Sequence, residues 1–281
     1  MLVDEITRDE IKKIFRNREN KLKYLKRLLP DNKSSEIEKK GSSIDSQIIA
    51  TWNYNESKDV IREMFKETEK YKYISKCNTL IDIAIQEWQD KQLGEFEWPF
   101  SAMNFDQHVH KLNRDNEKTE DEKDLIISRE SIVFRRIKNI NTLRNDYIEY
   151  LIFQNKSVIP TFGNNRGVDF YINGMPYDQK VAKSVGEEFK SKYGKNFREE
   201  AINNPALVAK SLYENQDAER FGHEPRLLIV YLDVDVNSQE IEEQLKNVDF
   251  NKPLQIDFEY KTRNSNAQQY KTECFIILLH H

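Results

Sequence analysis

Two short runs with strand-like alternation, VDFYI (168–172) and YDQKVA (177–182), flank Asn173-Gly174-Met175-Pro176, the strongest local instruction in the chain. Asn-Gly supplies the left-handed backbone that a tight hairpin needs. Met175-Pro176 lengthens the expected loop beyond two residues. Upstream, Ile137, Ile140, Leu143, Tyr147, Ile148, Leu151 and Ile152 fall at helical spacing, and Thr161 to Gly167 (TFGNNRG) reads as a turn-forming run. Downstream come helical patterns at 186–194 and 198–219, the apolar strand RLLIVYLDVDV (226–236), and a helix capped by Asn237 with Glu240. Strand patterns at 254–261 and 273–279 close the chain. This order predicts an α/β (α+β) fold, a mixed central β-sheet flanked by helices.

The N-terminal part reads differently. Residues 9–29 form one amphipathic helical pattern stopped by Pro30, a polar Gly/Ser-bearing stretch covers 31–46, and two further helical patterns span about 46–70 and 74–92. Residues 95–124 mix aromatics with a charged tract lacking any apolar period, which predicts a long surface loop. The expected division is therefore a helical N-terminal region, 1–130, serving recognition or dimerisation, and a catalytic core, 131–281.

A mean hydropathy of -0.81, with no apolar run near membrane-spanning length, excludes a membrane span, and the first residues carry no export signal. Cys77 and Cys274 are too far apart for a CxxC pair, so a disulfide framework and a cysteine-rich zinc site are excluded and a cytoplasmic setting is expected. The five histidines form no ligand set. Net charge is -4, yet residues 131–200 carry 12 Lys and Arg against 8 Asp and Glu, the better place for a polyanion. Lys12 to Arg27 is a second basic stretch, compatible with phosphate contact or with a solvated helix face.

The chemistry concentrates in residues 167–184. Residues two apart on a strand share a face, so Asp178 and Lys180 point the same way, and Asp169 can face them across the hairpin. Two adjacent carboxylates repel unless a cation lies between them, and Mg²⁺ suits one or two carboxylates plus water and phosphate oxygens. A lysine beside that ion can orient the attacking water and offset charge on the phosphate. An acid two residues before a lysine also occurs elsewhere, for example at Glu188/Lys190, mostly in helical or loop sequence where such residues do not face one another. The rival strand pair is Asp249 with Glu259 and Lys261, which has too little chain behind it for a catalytic sheet. Asp233 and Asp235 share a strand face and mark that strand's exposed end.

Asp169, an eight-residue spacer, and Asp178-Gln179-Lys180, set within the order helix, strand, strand, helix, strand over residues 132–236, resemble the PD-(D/E)xK nuclease superfamily, which includes type II restriction endonucleases. Val168 stands where that motif's proline is found. The resemblance implies a restriction-endonuclease-like core with Asp169 and Asp178 binding Mg²⁺, Lys180 serving the nucleophilic water, and the backbone carbonyl of Gln179 as a further ligand. It also implies a role for a glutamate on the preceding helix, here Glu149, against the alternative of an ordinary surface charge. Lys183 and Ser184 after the second strand, and Arg166 before the first, are the expected contacts to DNA. The expected activity is sequence-specific endonuclease cleavage of double-stranded DNA by a homodimer. A repair, recombination or phage-defence nuclease, and a non-catalytic DNA- or protein-binding module, are the alternatives.

Overall fold

The computed structural model describes residues 2–29, 44–93, 102–165, 167–216, 222–233, 235–261 and 266–281. Among them, a mixed six-stranded sheet runs in the order β1-β2-β3-β4-β6-β5. Its strands are β1 (Val158–Asn165), β2 (Val168–Ile172), β3 (Met175–Ala182), β4 (Arg226–Tyr231), β5 (Leu254–Tyr260) and β6 (Gln268–Leu279). β1, β2 and β3 form an antiparallel meander, β4 lies parallel to both β3 and β6, and β5 closes the far edge antiparallel to β6. All six residues of β4 are buried, as a parallel strand covered on both faces must be.

The β2–β3 hairpin is tighter than expected. Its loop is Asn173-Gly174 alone, with φ of 50° and 82°, and Met175 already pairs with Ile172. Pro176 lies inside β3 opposite Tyr171, where its missing N–H leaves no ladder bond unmade, because β4 joins β3 only from Asp178. The segment Thr161 to Asn165, expected as a turn, is strand β1 up to Asn165. Edge strands tolerate the proline and glycine that made it look like a loop.

The helices are α1 (Arg8–Phe15), α2 (Arg18–Leu28), α3 (Ile44–Thr51), α4 (Tyr54–Lys66), α5 (Glu69–Ile74), α6 (Cys77–Asp90), α7 (Ala102–Asn113), α8 (Glu120–Gln154), α9 (Glu187–Tyr193), α10 (Phe197–Asn203), α11 (Pro205–Glu214) and α12 (Ser238–Lys246). The expectation of a long loop over 95–124 is overturned where the chain is described, since 102–113 is α7 and a capping box of Thr119 with Glu122 starts α8. α8 is 35 residues long and runs through residue 130, so the expected boundary falls inside one helix. No helix among the described residues is long and apolar enough to cross a membrane.

On one face of the sheet, Ile148, Ile152 and Phe153 of α8 pack against Phe170, Tyr177 and Leu227. On the other, Ile11, Phe15 and Ile61 of the N-terminal helices cover Ile159 and Tyr171. Phe189, Val208 and Tyr213 of α9 and α11 cover Leu228, Val230 and Phe258 on that same side further along. β4 ends at Tyr231, so Asp233 and Asp235 are not strand residues as the sequence suggested. Asp233 instead takes both guanidinium nitrogens of Arg198 at 2.7 Å, and Asp235 meets His281 at 2.9 Å.

Candidate active site

β2 and β3 part company just where the acidic residues lie. Their pairing ends with Phe170 opposite Tyr177, and from Asp178 onward β3 pairs with β4 on its other side. The N–H of Asp178 is taken by the Pro225 carbonyl at 3.2 Å on the β4 side, so the next N–H, that of Gln179, points back toward β2. No β2 carbonyl receives it; the Asp169 carboxylate does, at 2.7 Å from Gln179 N to Oδ2. The Thr161 hydroxyl of β1 donates to the Asp169 carbonyl at 2.9 Å and holds that backbone from the other side. Asp169 is thus fixed at a fork by the open end of a hairpin.

A cavity of about 300 Å³ lies at this fork, lined by Asp169, by Gln179 of β3, by Asn145, Asp146 and Glu149 of α8, and by Lys70 of α5. Asp146 and Glu149 share a helix face because they are three apart. Lys70 forms an ion pair with Glu149. Asp178 and Lys180 alternate along β3 with Gln179 and Val181, which line the cavity, and are not themselves in its lining; Lys180 Nζ lies 2.6 Å from Asp178 Oδ2, with the lysine side chain 53% exposed and the aspartate 13%. That contrast leaves the ammonium open to an incoming molecule while the acid is held.

Burial pushes the Asp169 carboxyl above its ordinary range, and the nearby charges of Asp178 and Glu149 push the same way; the Gln179 N–H and Lys180 oppose them. Burial likewise raises Glu149, against the pull of Lys70, and raises Asp146. Besides Lys70 and Val181 the lining offers carboxylate and amide oxygens, from Asp146, Glu149, Asp169, Asn145 and Gln179, the kind a hard divalent cation takes. Among the described residues no three His, Cys, Asp or Glu side chains group so that they could together hold a metal ion. Glu149 and Asp178 are each held by a lysine, and Mg²⁺ needs only one or two carboxylates beside water and substrate oxygens. The residues therefore fit such an ion.

The structure places Asp169, Gln179 and Glu149 on one cavity, with Asp178 and Lys180 next along β3 and near enough for their charges to act on the Asp169 carboxyl, and adds Lys70, Asn145 and Asp146, which the sequence did not single out. Ser184 accepts the Gly186 N–H at 3.3 Å in the turn into α9, and Lys183 follows β3, its ammonium lowered by burial and by Lys138 of α8. Arg166 lies outside the described residues. The rival set is dispersed: Asp249 accepts the Asn251 N–H in a turn, Glu259 accepts from Gln269 at 2.7 Å on the edge strand, and Lys261 follows the end of β5. No family model, curated protein or solved structure matches the chain.

Proposed function

We propose that this chain is a Mg²⁺-dependent endonuclease of the PD-(D/E)xK kind, which hydrolyses phosphodiester bonds of double-stranded DNA at specific sites as type II restriction enzymes do. The observation that supports this reading is the fork itself: Asp169 bonded to the Gln179 N–H, Asp178 with Lys180 on that adjoining strand, and Glu149, from the helix that precedes the meander, lining a cavity with Asp169 and Gln179. Asp169, Asp178 and the Gln179 carbonyl would hold Mg²⁺, which supplies an acidified water and polarises a phosphate oxygen when bound. Lys180, more than half exposed, would orient the attacking water and meet the charge developing on the phosphate. Lys183, Ser184 and Arg166 are placed in sequence to contact flanking phosphates.

One site per chain and two antiparallel DNA strands favour a homodimer. Free, buried Cys77 and Cys274 suit a reducing compartment, and we assign the enzyme to the cytoplasm. The test is supercoiled plasmid incubated with the protein in Mg²⁺ and in EDTA, read on a gel. Discrete fragments in Mg²⁺ alone, lost in Asp169→Asn, are the expected result. Undiminished cutting in EDTA overturns the metal assignment, and a smear overturns site specificity.

A further inference from the structure

Lys70 comes from the N-terminal helices, yet it lines the same cavity as Asp146, Glu149 and Asp169, and it is the one cationic side chain among the described residues that do. Its helix is held in place locally: Thr68 Oγ1 accepts the Tyr71 N–H at 3.2 Å, Ile74 is buried, and the Tyr71 ring lies 5.7 Å from that of Tyr150 on α8. The pair is asymmetric. Glu149 keeps 19% of its side chain exposed and Lys70 keeps 46%, so the acid is committed to the cavity while the lysine can leave. A buried carboxylate stays ionised only with a cation beside it, and here that cation is a side chain of the protein.

We infer that Lys70 is the built-in counter-ion of this site and competes with the divalent cation for the acidic cavity, Glu149 first, thereby setting how tightly the site takes a metal. The inference rests on the reading of Asp169 and its neighbours as a metal site. A cation held at Asp169 meets the ammonium across the same cavity and gains Glu149 only as the ammonium withdraws, so by linkage the strength of the pair is subtracted from the affinity for the ion.

Mn²⁺ binding to the full chain, measured by titration calorimetry, tests this. Lys70→Gln should bind Mn²⁺ tighter than wild type, on the order of tenfold, and should gain little when Glu149→Gln is already present. Lys70→Arg, which keeps the charge, should stay near wild type. On the wild-type protein, acetylation of Lys70 followed by mass spectrometry should speed up when Mn²⁺ saturates the site, a readout that needs no variant to fold. Equal or weaker affinity in Lys70→Gln, or a labelling rate indifferent to Mn²⁺, overturns the inference. Asp169→Asn separates the two readings. If it binds Mn²⁺ as wild type does, the metal site is elsewhere and the active-site reading falls; if it loses Mn²⁺ while Lys70→Gln gains nothing, only the role of Lys70 falls. Absence of Mn²⁺ binding in all variants overturns both.

Discussion

Asp169 is destabilised by the same surroundings that fit it for a cation. Its folded-state carboxyl is raised above its ordinary value by burial and by Asp178 and Glu149, so folding favours the protonated form. Below the unfolded-state value both states are protonated and nothing is lost, and as pH rises through the folded-state value the penalty for ionising comes fully into force. Asp169→Asn retains an oxygen for the Gln179 N–H and removes that penalty. Its melting temperature should exceed wild type by about 2 °C at neutral pH and match it near pH 3, with cleavage abolished. A variant less stable at neutral pH would show that the carboxylate is already compensated. Lys180→Ala separates catalysis from binding at the adjoining position. Single-turnover cleavage should fall about 10²–10³-fold, while a gel-shift titration at one salt concentration moves little, because many basic groups share the phosphate contacts. Lys261→Ala, past the end of β5, is the matched control and should cut normally; the reverse pattern would move the site to Asp249 and Glu259. The period of two along β3 made Asp178 and Lys180 readable as one face, and a hairpin made Asp169 their neighbour. Lys70 was not readable, since it lies 79 residues from Glu149 and meets it only through packing.

Elements were legible where burial imposed a period and obscure where it did not. The C-terminal half of α8 shows its stripe because Ile148 and Ile152 face the sheet, whereas Leu125 and Ile132 are 72% and 43% exposed. The first turns of α8 project from the core, so no apolar repeat marks them, and the Thr119 capping box was the one local signal. β1 was hidden by Pro160 and Gly163, and Gly163 has a packing reason: a Cβ there would lie 2.5 Å from Arg16 Cδ of the α1–α2 turn. The junction of α8 with β1 depends on a contact that no pattern encodes. Arg62 of α4 donates to the carbonyls of Phe153, Asn155 and Val158 at 2.9, 2.6 and 2.8 Å, satisfying groups at the helix end and strand start. Arg62→Ala strands them beneath the N-terminal layer and should cost about 3 kcal/mol in urea denaturation. Arg62→Lys should rescue little, because one ammonium cannot reproduce a planar fork. A loss below about 0.5 kcal/mol would show that water replaces the guanidinium.

At the scale of the whole molecule, the pattern of charge and period suggested two parts meeting near residue 130, and packing joins them. Phe65, Ile74, Cys77 and Ile81 belong to the same buried cluster as Ile148, Phe170 and Leu227, and Ile159 and Tyr171 are covered by Ile11, Phe15 and Met64. A composition shift reports which residues meet water, not which layers share a core. The N-terminal helices therefore roof the sheet that carries Asp169, and they also supply Lys70 to its cavity. A fragment of residues 131–281 would begin inside α8, uncover Ile159, Val168 and Tyr171, and strip Phe65, Ile74, Cys77 and Ile81 from the cluster around Leu143, Ile148 and Ile152. Exposing a fully buried side chain of this size costs about 1.5–3 kcal/mol, so a handful is comparable to the roughly 5–15 kcal/mol by which a whole domain is stable. The fragment should give no cooperative thermal transition and a collapsed amide NMR spectrum, and it should bind no Mn²⁺, whereas the full chain melts cooperatively. A dispersed spectrum with a sharp melt from 131–281 alone would mean that the meander and its parallel partners hold their own core. The N-terminal layer would then be a separable module, and the fork between β2 and β3 would have to keep Asp169 and Gln179 in register without the helices that cover it.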